Sequence, residues 1–133
     1  MNQEELKQSA GILALIRVRN QVIDGLPDEY RPADEAEAYQ VQEQLHELLD
    51  EAGYGKRVGY KIGCTTSVMQ KFLGIDNPCA GGIYNTATNY IAVTAQLDNF
   101  SHPGVECEIA AFIGSDMVPA SDGSPFTRES VTP

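Results

Sequence analysis

Glu106 and Glu108 stand one residue apart in the stretch Gly104-Val105-Glu106-Cys107-Glu108-Ile109-Ala110-Ala111-Phe112-Ile113-Gly114. Apolar, β-branched content between two glycines predicts a buried strand. Period-2 geometry then sends Val105, Cys107, Ile109 and Ala111 to one face and Glu106, Glu108, Ala110 and Phe112 to the other. Side chains two positions apart on a strand start about 6.5–7 Å from each other, close enough for two carboxylates to converge on one divalent cation. Left unpaired in an apolar setting, they would repel each other and lose hydration. A hard, oxygen-seeking ion such as Mg²⁺ or Mn²⁺ is the natural neutraliser. On a sheet edge the same pair would simply face water, and the spacing alone leaves both arrangements open.

Lys61 is the second group with chemical potential. It sits in Arg57-Val58-Gly59-Tyr60-Lys61-Ile62-Gly63, a predicted short strand with glycines on either side of the lysine. Glycine inside a strand often marks close approach of a backbone or a ligand. Flanked by Tyr60 and Ile62, the ammonium is either partly desolvated or snorkels to water. The following run, Cys64-Thr65-Thr66-Ser67, offers hydroxyl caps for a short helix over Val68–Leu73, with Gly74 as its terminator. Thr65 and Thr66, with the first amides of that helix, make a carboxylate-binding corner just after the lysine. The glycines of Asp76–Gly82 are too few and too poorly spaced for a phosphate loop, and that segment reads as a turn-rich loop.

Helices supply the frame around these groups. Leu6, Ala10, Leu13 and Ile16 fall on one face of a predicted helix over 3–19, with Arg17 and Arg19 in a last turn whose dipole favours positive charge. Asn20–Pro32 reads as a loop. A second helix is expected over Ala33–Ala52, with Ala38, Val41, Leu45, Leu48, Leu49 and Ala52 on its apolar face and Gly53 and Gly55 ending it. Its Glu43, Glu47 and Glu51 form a solvated face, and His46 is expected to face solvent. Ile83-Tyr84 and Tyr90–Val93 read as strands. Asp98–Pro103 is a connection whose His102 is a loop residue, and Ser115–Pro125 is loop. Thr127–Val131 reads as the cap and first turn of a further helix.

The 133 residues amount to one domain at most, with 42% hydrophobic and 21% charged residues, the balance of a globular rather than a disordered chain. A formal charge of −10 and no basic cluster exclude nucleic acid as a partner. No apolar run approaches the roughly 18 residues of a membrane span, and no secretory signal opens the chain. Cys64, Cys79 and Cys107 have no CxxC spacing, which argues against a disulfide scaffold or structural zinc and for small buried thiols. The cytoplasm is the expected compartment. Because the chain stops at the first turn of a helix with few strands to close a sheet, it reads as the front part of a longer protein or as a chain that borrows strands.

Val58-Gly59-Tyr60-Lys61-Ile62-Gly63-Cys64-Thr65, then Phe72-Leu73-Gly74-Ile75-Asp76, then Val105-Glu106-Cys107-Glu108-Ile109-Ala110 resemble, in order and spacing, the 2-keto-4-pentenoate hydratase family of the fumarylacetoacetate hydrolase superfamily. The resemblance implies an α+β fold: an N-terminal helical region over 1–56, then over 57–133 the first strands of a truncated mixed β-roll. It implies a metal-dependent enzyme that adds water to a 2-hydroxy-2,4-dienoate to give a 4-hydroxy-2-oxo acid, a step of aromatic meta-cleavage degradation. Glu106 and Glu108 match two of the family's three acidic ligands for Mg²⁺ or Mn²⁺, the third falling beyond Pro133. Lys61 matches the active-site lysine, and Thr65 and Thr66 stand where the substrate carboxylate is held. The partner implied is a small 2-oxo acid, with a homo-oligomer in the full-length form. A decarboxylase of 2-oxo-3-enedioates and a non-catalytic module that docks on a full-length relative are the alternatives.

Overall fold

The computed structural model describes residues 1–119 and 121–131. Part of the loop expected over Ser115–Pro125 and the end of the region 57–133 therefore lie outside the described residues. The chain divides into two compact units, Met1–Pro103 and Gly104–Pro133.

The first unit begins with α1, Gln3–Val18, whose start is set by Asn2. The Asn2 side chain accepts from the amides of Glu4 and Glu5, both at 2.9 Å, and Glu5 accepts from the Asn2 amide at 2.8 Å. This reciprocal box satisfies donors that a helix start otherwise leaves open. The second helix, α2, covers Glu35–Leu49 and is capped by Asp34, which accepts from the Glu37 amide at 2.9 Å. It passes into a wide helical turn over Asp50–Tyr54.

The N-terminal ammonium pairs with Glu37, so the two helices start side by side. Leu6 and Ala10 then pack with Val41, and Ala14 packs with Leu49 further along. Since both sequences advance together, α1 and α2 run in the same direction. That arrangement needs a returning connection, and Ser9, fully buried on α1, braces it by donating to the Tyr30 carbonyl at 2.9 Å. The small side chains of Ala10 and Ala14 are buried at this contact.

After the helices comes a two-stranded antiparallel sheet of β1, Arg57–Gly63, and β2, Cys79–Tyr84. Lys61 faces Gly81 and Gly63 faces Cys79, with an irregularity between Arg57 and Gly59. Between the strands lies α3, Ser67–Leu73, capped by Thr66 and closed by Gly74 at φ 69°, a left-handed conformation that glycine adopts without strain. Tyr84, at the end of β2, is buried in one cluster with Ala14 and Leu49 and so ties the sheet to both helices. Thus β2 replaces the loop expected at Cys79–Gly82, where pairing with β1 organised residues whose glycines read locally as a turn.

The second unit corrects the expectation of a buried strand over Gly104–Gly114. Those residues take no regular structure, and Val105 and Ile109 are 96% and 101% exposed. An alternating apolar pattern satisfies side chains only. A strand also needs a paired strand for its amides and carbonyls, and among the described residues the sheet consists of β1 and β2. Tyr90–Val93 is likewise irregular rather than strand. The helix start at the end of the chain is present as α4, Arg128–Val131, where Thr127 Oγ1 accepts from the Ser130 amide at 3.2 Å and Ser130 Oγ from the Thr127 amide at 2.9 Å.

Candidate functional site

Lys61 lies mid-strand on β1, and the pairing decides its face. Opposed residues of an antiparallel pair share a face, so Tyr60 goes with Gly82 and Lys61 with Gly81. A Cβ on Gly82 would lie 2.7 Å from His46 Nε2, which puts the Gly82 face against α2. A Cβ on Gly81 would meet nothing within 4 Å. The lysine therefore stands on the open face of the sheet, across from a residue with no side chain, and is exposed.

At the end of β1 the chain turns through Cys64, whose φ of 56° is in the left-handed region that a side chain disfavours. Gln70 of α3 braces this turn by donating to the Cys64 carbonyl at 2.8 Å. Thr65 and Thr66 follow, both exposed. Thr66 Oγ1 accepts from the Met69 amide at 3.3 Å, so its hydroxyl caps the helix while keeping its own proton for donation. That cap also uses one of the amides expected to hold a carboxylate.

Glu106 and Glu108 belong to the second unit and are exposed on the irregular segment. As hard oxygen donors they suit Mg²⁺ or Mn²⁺ in type. Among the described residues, however, no group of three or more His, Cys, Asp or Glu side chains converges on a point, so a closed set of protein ligands is not assembled.

A polar cluster that the sequence reading missed joins the sheet to α2. His46 is not solvent-facing: its side chain is only 10% exposed and packs edge-on against Tyr84, ring centroids 5.8 Å apart. Arg57 Nη1 lies 2.6 Å from Glu43 Oε1, so Glu43 is paired rather than part of a free solvated face. The same nitrogen donates to His46 Nδ1 at 2.7 Å. Desolvation, followed by the positive charge of Arg57, holds the His46 pKa below its ordinary value. The hydrogen bond from Arg57 holds the Glu43 carboxyl low and in turn raises the Arg57 pKa. The only local signal was the i, i+3 spacing of Glu43 and His46; Arg57 and Tyr84 are brought to them by the fold. The guanidinium also rests 4.8 Å from the Tyr60 ring centre, so the cluster ties β1, the strand that carries Lys61, to α2.

The cysteines also depart from the expected buried thiols. Cys79 and Cys107 are exposed, and Cys64 is half-buried. His102 is an exposed loop residue, as expected.

Among curated proteins, the chain is 36% identical over 90 residues to the TodF product hydratase of Pseudomonas putida, covering 68% of this chain and 32% of that protein. It is 39% identical over 64 residues to a 2-keto-4-pentenoate hydratase of Paraburkholderia xenovorans, covering 47% of this chain and 24% of that protein. With a 2-keto-4-pentenoate hydratase of Burkholderia vietnamiensis the identity is 28% over 116 residues, 87% of this chain and 44% of that protein. The chain thus spans less than half the length of these relatives. No family model matches it, and no solved structure does.

Proposed function

This chain belongs to the 2-keto-4-pentenoate hydratase family, and on that premise we propose that the whole protein is a lyase adding water to a 2-hydroxy-2,4-dienoate to give a 4-hydroxy-2-oxo acid. The observation that carries this reading is the 36% identity over 90 residues to a protein named as a hydratase. The finer assignments rest on residue chemistry. Converting the dienoate to its product removes the 2-hydroxyl proton, places protons at C3 and C5, and adds the water oxygen at C4. Ketonisation comes first, since water adds readily only to a carbon conjugated with a carbonyl.

Lys61, on the open face of the sheet, is the proton-transfer group for ketonisation and a cationic partner for the substrate. Thr65 and Thr66, one turn of chain beyond it, donate hydroxyl protons to the substrate carboxylate. Glu106 and Glu108 contribute two oxygen ligands to Mg²⁺ or Mn²⁺. When bound, that ion supplies Lewis-acid polarisation of the 2-oxo oxygen and offsets the repulsion between an acidic protein and an anionic substrate. A cytoplasmic homo-oligomer acting on small molecules completes the proposal. No helix of the described residues is long and apolar enough to cross a membrane.

The test is calorimetric titration of Mn²⁺ into the chain, alone and with oxalate as a mimic of the 2-oxo acid end, beside a Glu106→Gln, Glu108→Gln double variant. Saturable binding that oxalate strengthens and the double variant loses is expected. Equal heats from both proteins would overturn the metal assignment. For the reaction, loss of dienoate absorbance with formation of a 4-hydroxy-2-oxo acid by the whole protein is expected. Release of CO₂ from a 2-oxo-3-enedioate with no dienoate turnover would replace the hydratase with a decarboxylase.

A further inference from the structure

Cys64 and Cys79, 15 residues apart in the sequence, meet at the end of the sheet, where their Sγ atoms lie within thiol hydrogen-bond distance at 3.7 Å. The contact is a product of the fold: β2 places Cys79 opposite Gly63, and the left-handed turn at Cys64 swings the next side chain toward it. Gly63, directly across from Cys79, lies in ordinary van der Waals contact range of its sulfur, 3.5 Å from where a Cβ would stand. A disulfide needs about 2.05 Å between sulfurs, so closing the bond requires the two sulfurs to approach further from 3.7 Å. Cys79 is exposed and Cys64 half-buried, so one thiol meets solvent while the other waits behind it. Cys107 lies in the other unit.

We propose that Cys64 and Cys79 are a peroxide-sensitive thiol pair that closes to an intramolecular disulfide, tying the Thr65–Thr66 turn to β2. The sulfur of Cys79, as thiolate, attacks a peroxide oxygen. The O–O bond breaks, water or an alcohol leaves, and Cys79 becomes a sulfenic acid. The Cys64 sulfur then attacks Cys79 sulfur, forming the S–S bond and releasing hydroxide, which takes up the Cys64 proton as water. Two thiols lose two electrons and two protons in total, and hydrogen peroxide is reduced to two waters. Exposure assigns the order, because the reagent reaches Cys79 first. Hydrogen bonding to Cys79 and partial burial raise the Cys64 thiol pKa, which suits Cys64 to the resolving role. The pairing stands independently of the hydratase reading.

The experiment treats the unsubstituted chain and a Cys107→Ser variant with hydrogen peroxide, blocks remaining thiols with iodoacetamide, and maps non-reduced peptides by mass. In both proteins the expected product is a monomer with a cross-linked peptide that contains Cys64 and Cys79, is lighter than its two free-thiol halves by two hydrogen atoms, and is released by dithiothreitol. A Cys64→Ser variant is expected to carry Cys79 on to sulfinic acid or into intermolecular dimers instead. Over-oxidised Cys79 with Cys64 still open to iodoacetamide in the Cys107→Ser variant would overturn the proposal. So would cross-links formed only between chains, or two unreacted thiols where peroxide oxidises Cys107 of the unsubstituted chain.

Discussion

Arg57 of β1 donates to His46 Nδ1 of α2 at 2.7 Å, and this one bond fixes the state of the imidazole. Arginine can only donate, so Nδ1 is the acceptor and the proton resides on Nε2. Glu43 Oε1, 3.7 Å from the same ring nitrogen, could pair with His46 only if the ring were charged. The shorter bond from Arg57 and the burial against Tyr84 both favour the neutral ring.

Stability should therefore fall in mild acid. The His46 pKa is below its ordinary 6.5 in the folded chain, with desolvation the largest cause, Arg57 and Arg17 acting in the same sense and Glu43 opposing. Between the folded and unfolded pKa values the unfolded chain binds more protons, so stability is present above the unfolded pKa and drains as the pH falls through it. Urea midpoints should drop as the pH falls through the ordinary histidine value of 6.5, and His46→Gln should flatten that slope. The lowered pKa of Glu43 adds a separate loss, beginning as the pH falls through its ordinary 4.5. An unchanged slope in the His46→Gln protein would remove His46 as its source.

Gly82 is the position at which the sheet can least accept a side chain. A Cβ there would come within 2.7 Å of His46 Nε2 and 3.0 Å of Arg57 Cδ. Gly82→Ala should destabilise the chain by about 1–3 kcal/mol, the usual cost of overpacking, read as a lower denaturant midpoint with an unchanged slope. Gly81→Ala, with nothing within 4 Å of its Cβ, is the control expected to cost little.

Local rules made much of the first unit legible. Apolar periodicity and charged first turns marked α1 and α2, and β1, the Thr66 cap and the Gly74 terminator of α3 all followed from residue type. What escaped was anything set by a distant partner. His46 looked solvated because Arg57 and Tyr84, which desolvate it, arrive from the sheet. Cys79–Gly82 looked like a turn because its strand character comes from pairing with β1. The error ran the other way at Gly104–Gly114: the pattern was strand-like, but the segment takes no regular structure. At the candidate site, the surroundings of Lys61, Thr65 and Thr66 were readable, since chain continuity joins them. The contact between Cys64 and Cys79 was not.

Thr66 does two jobs that separate by substitution. Its hydroxyl oxygen caps α3, and its proton is proposed to reach the substrate. Thr66→Ser should keep both. Thr66→Ala should cost about 1 kcal/mol of stability through the lost cap, read from chemical denaturation, and should raise KM for the dienoate. Thr65→Ala, which removes no cap hydrogen bond of α3, should raise KM with the denaturation midpoint unchanged. A KM shift in Thr66→Ala that Thr65→Ala lacks would restrict the carboxylate contact to Thr66.

Lys61 provides the sharpest test of the catalytic proposal, because its exposure on the open face of β1 separates chemistry from folding. Lys61→Met retains most of the apolar stem and removes the ammonium, so the unfolding free energy should stay within about 0.5 kcal/mol of the parent, as for surface substitutions generally. If Lys61 moves the proton during ketonisation, kcat of the whole protein should fall by about 10²–10⁴ with KM little changed. If it only pairs with the substrate carboxylate, KM should rise instead, and Lys61→Arg should recover most of the loss. Proton transfer predicts that arginine does not rescue, since the guanidinium does not give up its proton in this pH range. Full activity in Lys61→Met would remove Lys61 from the mechanism altogether.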